Sequence, residues 1–147
     1  MDRRLAVLVL KKELDAYRLY KLKLKDISLD LEEIYTRLYE VSGISYEYKI
    51  PTVSHDMAAI NEQRRVLEAK KDELESKYNL YHTYVLFIEN IFQKADEEDR
   101  NILKRHYVDG VTWFELADEL HYSERNLRYK VDRFLVKIAD TTFKNEL

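Results

Sequence analysis

The sequence predicts an all-α chain: a long antiparallel helical hairpin of coiled-coil type, followed by a small helix-turn-helix domain. Three observations predict it. Apolar residues recur every seven positions through most of the first 94 residues. Glycine and proline, which punctuate helices, number only two and one in 147 residues. After residue 110, two short segments each open on a hydroxyl side chain placed to cap a helix.

The first arm of the hairpin is expected near 3–42. Leu10, Tyr17, Leu24, Leu31 and Leu38 form one heptad row, with Tyr20, Ile27, Ile34 and Val41 as its companion. A loop at about 43–54, from Gly43 through Pro51 to Ser54, interrupts the pattern. The returning arm, near 55–94, carries Ile60, Leu67, Leu74, Tyr81 and Ile88 beside Met57, Tyr78, Val85 and Phe92, and Arg64 and Lys71 make this second seam partly polar. Each arm would be roughly 60 Å long, and matching lengths favour folding back over one continuous rod. The hairpin domain is therefore set at 1–94.

Two stretches at the base of that hairpin are apolar on nearly every side, Leu5–Leu10 and Tyr84–Ile88 with Ile91 and Phe92. Such a helix has to be covered from more than one direction. The cover is either the C-terminal domain or a second copy of the chain. A six-residue apolar run followed by Lys11-Lys12-Glu13 is too short to span a membrane and reads as neither an anchor nor a signal peptide.

The second domain is set at 95–147. Clustered acids Asp96, Glu97, Glu98 and Asp99 suit a helix start, where they meet the positive end of the macrodipole. Ile102, Leu103, His106, Tyr107 and Val108 supply that helix's buried side, and Asp109-Gly110 ends it. Thr112 and Glu115 form a capping box for the next helix, whose apolar face is Leu116, Ala117 and Leu120. Only His121 and Tyr122 separate Leu120 from Ser123, the cap of the last helix, so the two axes turn sharply. Leu127, Val131, Phe134, Leu135 and Ile138 recur at helical spacing as a buried stripe. Glu124, Arg125, Asn126, Arg128, Tyr129, Asp132 and Arg133 are left facing outward.

Residues 123–138 contain five basic side chains against two acidic ones, whereas the whole chain carries a formal charge of −3. A positive, hydrogen-bonding face at the start of one helix fits the major groove of DNA. The bland reading is an amphipathic helix with a solvated charged side; the capped helix and short turn in front of it favour the DNA reading. Twelve tyrosines, several interleaved with lysines, could form a stacking platform for single strands. Their positions on or beside the heptad rows favour packing instead.

Enzyme chemistry finds no foothold. The four histidines are scattered, there is no cysteine, and neither a glycine-rich phosphate loop nor a nucleophile with a base can be identified. No metal, no cofactor and no small-molecule substrate is expected. The hairpin's charges mix both signs on a chain that is 36% charged, which reads as a solvated face.

The segment RHYVDGVTWFELADELHYSERNLRYKVDRFL resembles region 4 of bacterial sigma factors. It is more similar still to the small phage regulators of the RinA and ArpU type, late-gene activators that pair an N-terminal coiled-coil segment with a sigma-region-4-like helix-turn-helix. The Tyr-x-Asp-Gly turn, Trp113, the Leu-Ala pair and the Tyr-Ser-Glu-Arg corner carry the likeness, over about a quarter of the chain. His121 stands where many helix-turn-helix proteins have glycine. By this resemblance the first two turns of the last helix meet base edges, which makes Glu124, Arg125, Asn126 and Tyr129 the base-reading set. Thr112, Ser123, Arg128, Lys130, Arg133 and Lys137 are the residues expected at phosphates, and Trp113 is expected to pack at its helix start.

The resemblance implies a sequence-specific double-stranded DNA-binding regulator, a phage or prophage late-gene activator working with host RNA polymerase. It would act as a homodimer in the bacterial cytoplasm, on the nucleoid, with no membrane partner. Two alternatives stand beside it: a small-terminase-like DNA-packaging subunit, and a sigma-like adaptor that contacts polymerase without binding DNA.

Overall fold

A computed structural model of the protein describes residues 2–47 and 54–143. Every element among them is helical: α1 (Arg3–Glu47), α2 (Ser54–Lys94), α3 (Glu97–Leu103), α4 (Trp113–Leu120) and α5 (Glu124–Thr142), with a five-residue π-helical turn, Lys104–Val108, continuing α3. The all-α expectation holds. α1 runs five residues past the expected end at 42, through Gly43. A glycine inside a helix costs only about 1 kcal/mol relative to alanine, so it weakens a helix without obliging it to stop. Of the expected loop, residues 48–53 lie outside the described residues.

The chain forms two compact units, one comprising 1–21 with 83–147 and the other 22–82. In the second unit Ile27, Leu31, Ile34 and Leu74 are buried together, with Leu38, Tyr78 and Tyr81 packed against them. These are the heptad positions. The Tyr35 hydroxyl donates to Glu75 at 2.5 Å across the two helices. Outward-facing pairs such as Arg37–Glu33 and Lys77–Glu73 follow the helical i,i+4 spacing. Met57, expected on the buried row, is 42% exposed.

The first unit holds the larger core. Leu10 and Leu14 of α1, Ile88 and Ile91 of α2, Ile102 and Leu103 of α3, Leu116 of α4, and Leu127 and Leu135 of α5 are all fully buried. The Tyr17 ring meets Phe92 edge-on at 5.6 Å, and its hydroxyl donates to Glu89 at 3.0 Å. Burial, that bond and the Glu89 charge push the Tyr17 hydroxyl up to about 12. Salt bridges tie α5 to α1 at two levels, Lys11–Asp132 at 2.7 Å and Arg3–Asp140 at 3.1 Å.

Cover over the apolar base of α1 is incomplete. Ala6 and Leu10 are buried, but Leu5 and Leu8 remain 51% and 61% exposed. One side of the 5–10 run is therefore closed within the chain and another is left open.

Between α2 and α3 the chain turns within two residues. Asp96 is the N-cap of α3, its carboxylate accepting from the Asp99 amide at 2.8 Å. Arg100 reaches back to the end of α2, donating to the carbonyls of Phe92, Gln93 and Ala95 at 3.0–3.2 Å. One guanidinium thus closes the end of α2, where the Phe92 carbonyl also accepts from the Ala95 amide at 3.2 Å.

The π turn changes the expected face of α3. The Asp109 amide bonds the Lys104 carbonyl, five residues back, so each turn holds more residues and later side chains shift around the axis. Tyr107 stays buried, whereas Val108, expected inside, is 37% exposed. His106 stacks on Trp113 at 3.7 Å and donates from Nδ1 to the Val111 carbonyl at 2.7 Å. Trp113 thus packs, as its position suggested. Burial pushes the His106 imidazole below its usual range, against the opposing pull of the Val111 carbonyl.

Two measurements test this core. Leu10→Ala should cost about 2–5 kcal/mol, in the range for a fully buried leucine, and the loss should appear in the unfolding transition followed by fluorescence of Trp113. An unmoved Trp113 transition would show that α1 does not share the core of the C-terminal helices. For His106, the unfolded state takes up a proton near pH 6.5 while the folded state resists it, so stability is full above that pH and declines as pH falls below it. Denaturation between pH 7 and 5 should show a shallower decline in His106→Phe than in the natural chain; equal slopes would remove His106 as the cause.

Candidate nucleic-acid interface

α4 is short, eight residues, and capped at both ends. Thr112 accepts from the Glu115 amide at 3.1 Å, the hydroxyl half of the expected capping box. At the other end His121 adopts the left-handed conformation, φ 61° and ψ 34°, and is the one non-glycine residue with positive φ among those described. Its amide bonds the Asp118 carbonyl at 3.4 Å and the next amide, of Tyr122, bonds Ala117 at 2.9 Å. These are the two bonds of a Schellman ending, which normally recruits glycine. Histidine tolerates this region better than most residues but still bears a backbone penalty of about 1 kcal/mol.

Ser123 then caps α5, accepting from the Asn126 amide at 3.1 Å. The corner is therefore three residues of defined geometry, with no slack. Leu127, Val131, Phe134, Leu135, Ile138 and Ala139 are buried beneath α5, which fixes the rotation of the helix and hence its outer face. All five residues of the expected stripe are among them.

On that outer face Glu124, Arg125, Asn126, Arg128, Tyr129 and Asp132 line one open concavity. All four residues expected to read bases are brought together there. Tyr129 is 65% exposed, with the Arg133 guanidinium over its ring at 6.0 Å from the centroid. Among the described residues, no side chain pairs with Arg125, Asn126 or Lys137. Arg128 bonds Glu124 at 2.7 Å, one turn back on the same helix.

Lys130 is differently placed from the other residues expected at phosphates. Its ammonium lies 3.1 Å from Glu98 and 3.8 Å from Asp99 of α3. Burial works to lower it, yet the bond to Glu98 and both acidic charges outweigh burial and hold it above its usual range. Glu98 also accepts from the Tyr122 hydroxyl at 2.8 Å, and these contacts, that of Tyr122 first, hold its carboxyl below the usual range. Burial and the neighbouring Asp96 move Asp99 the other way. The α3 acids thus anchor the corner and the second turn of α5. Thr112, Ser123, Arg133 and Lys137 lie exposed.

Three features of the site escaped the sequence. Lys11 neutralises Asp132 from α1. Arg18, also of α1, lies against Gly110, its Nη1 only 2.6 Å from where a β-carbon would sit. That places a guanidinium beside the turn leading to Thr112, on a glycine held at φ 77°. Phe114, on α4, is 72% exposed. A solvated-looking arginine and a helical phenylalanine carry no local signal of these roles.

Among the described residues no group of three or more His, Cys, Asp or Glu side chains could hold a metal ion, and no helix is long and apolar enough to cross a membrane. The arrangement defines a helical chain that presents a polar, partly cationic helix face on a rigid corner. Comparison with protein-family models, curated proteins and solved structures finds no match for it.

The corner itself is testable. His121→Gly relieves the left-handed strain and should leave thermal stability equal or higher, by up to about 1 kcal/mol once the added freedom of the unfolded chain is counted. His121→Val should lower it by about 1–2 kcal/mol, since a β-branched residue fits positive φ worst. Equal melting of both variants would show that residue 121 is not held left-handed.

Proposed function

We propose that the protein is a sequence-specific double-stranded DNA-binding transcriptional regulator, with α4 and α5 as a helix-turn-helix and α5 as its reading helix. The observation that carries this reading is the exposed first two turns of α5, rigidly offered, with Arg125 and Asn126 unpartnered among the described residues and Tyr129 65% exposed. Arginine can bond guanine bidentately, asparagine suits adenine, and Glu124, steadied by Arg128, can accept from a cytosine amino group. Thr112, Ser123, Arg128, Arg133 and Lys137 hold phosphates, with Arg18 joining them beside Thr112; these fix register without reading sequence. Lys130 acts first as the tie between α5 and α3, and reaches a phosphate only by leaving Glu98.

α1 and α2 form an antiparallel coiled-coil hairpin, and the protein works as a homodimer in the cytoplasm of a bacterial host, on its nucleoid. The resemblance of the α3–α5 segment to sigma region 4 and to RinA- and ArpU-type activators supports a phage or prophage late-gene activator. The exposed Phe114 ring is suited to a protein surface and not to phosphate, which supports a contact with host RNA polymerase.

Arg125→Ala with Arg128→Ala should abolish sequence-specific duplex binding, read by mobility shift against sites recovered from bound genomic DNA. Lys130→Ala should instead lower the melting temperature more than it weakens binding. A double variant that keeps full specific binding overturns the site. A natural chain that binds no duplex even at low salt, where phosphate attraction is strongest, makes it a polymerase adaptor. Bound DNA confined to a packaging locus makes it a terminase-like subunit.

A further inference from the structure

The uncovered side of α1 has an order of its own. Leu5, Leu8, Lys12, Asp15 and Leu19 follow the alternating three-and-four spacing of a coiled-coil seam, and Leu22 occupies the next position of the repeat in the sequence. None of these belongs to the heptad rows that α1 buries against its neighbours. The leucines are 51%, 61%, 53% and 60% exposed, in that order, and Lys12 and Asp15 are exposed too. Exposed leucines in a repeating line need an apolar partner.

We propose that this seam pairs with the same seam of a second copy, the two α1 helices crossing antiparallel about a two-fold axis between Lys12 and Asp15. The inference deepens the homodimer named above and rests on it. The two central charges choose the register. A parallel pairing sets Lys12 against Lys12 and Asp15 against Asp15, like charges inside an apolar seam. The antiparallel register instead sets Lys12 against Asp15 of the second copy, twice by symmetry, and Leu8 against Leu19, also twice. Polar residues at single seam positions specify register in this way, since every other alignment buries a charge without its opposite. Val9, 36% exposed, lies on the flank of the seam and extends its apolar width. The interface is isologous, so it closes at two copies and does not propagate.

The full chain tests this directly, because it contains no cysteine and its seam residues lie outside the core. Leu8→Cys combined with Leu19→Cys should yield a disulfide-linked dimer on mild oxidation, while either single variant should not. Lys12→Glu should weaken dimerisation by about tenfold or more, read by sedimentation equilibrium, since it sets like charges opposite each other at both central layers. Adding Asp15→Lys should restore the affinity of the natural chain. Circular dichroism should be the same for all of these proteins. A natural chain that sediments as a monomer overturns the seam and the dimeric reading together. A dimer that ignores Lys12→Glu, or that crosslinks through Leu8→Cys alone, overturns the seam and leaves the dimeric reading standing. Duplex binding is scored separately and bears on neither.

Discussion

The constraint on which the rest depends is the burial of one side of α5. Six apolar residues from Leu127 to Ala139 are buried beneath it, and a helix fixed on one side has only one other side to offer. Four fully buried leucines or isoleucines of α1 and α2 contribute to the same core, at about 1.5–3 kcal/mol for each side chain removed from water. Polar ties then remove the remaining freedom. Lys11 and Arg3 hold α5 along its length, and Lys130 joins it to the acids of α3. Surface ion pairs are individually weak, so they orient α5 while the apolar stripe supplies the stability.

The parts of this arrangement that were legible in the sequence are those that depend on neighbours within one or two helical turns. Thr112 and Ser123 cap their helices because a short side chain with an oxygen acceptor reaches an amide three residues on. The stripe from Leu127 to Ile138 and the heptad rows around Ile27, Leu31 and Ile34 follow the same logic. So does the outward placement of Glu124, Arg125, Asn126, Arg128 and Tyr129.

What was not legible depends on distance or on backbone geometry without a compositional mark. Nothing near Lys104 announces a π turn, yet it moves Val108 to the surface. His121 occupies a conformation in which sequence reasoning looks for glycine. Arg18 and Gly110 are 92 positions apart, and Lys11 and Asp132 are 121 apart, so their meeting follows only from the fold. The apolar run 5–10 was legible as too apolar for one covering surface. Which residues stay open, and that they repeat as a seam, required knowing where the C-terminal helices lie.

Those distant pairings also change the charge argument for the reading helix. Counted along 123–138, the surplus is three positive charges, but the count ignores what each charge meets. Arg128 and Glu124 answer each other, Lys130 is spent on α3, and Asp132 is cancelled by Lys11. Among the described residues, the cations of α5 left without an acidic partner are Arg125, Arg133 and Lys137. In the proposed reading each neutralised phosphate contributes roughly 0.9 to the salt slope of duplex affinity; with Arg125 given to bases, only Arg133 and Lys137 of these three reach phosphates, a modest hold that ordinary salt would erode. On that proposal, a head so sparsely charged discriminates mainly through Arg125, Asn126 and Tyr129 and gains little from non-specific attraction. Useful affinity then has to come from two heads held at once, because linking them turns the second contact into an intramolecular event. If both proposals hold, the exposed leucines of α1 and the economy of charge on α5 are two sides of one design: an open seam would make the pair, and the pair would make a weakly basic reading helix sufficient.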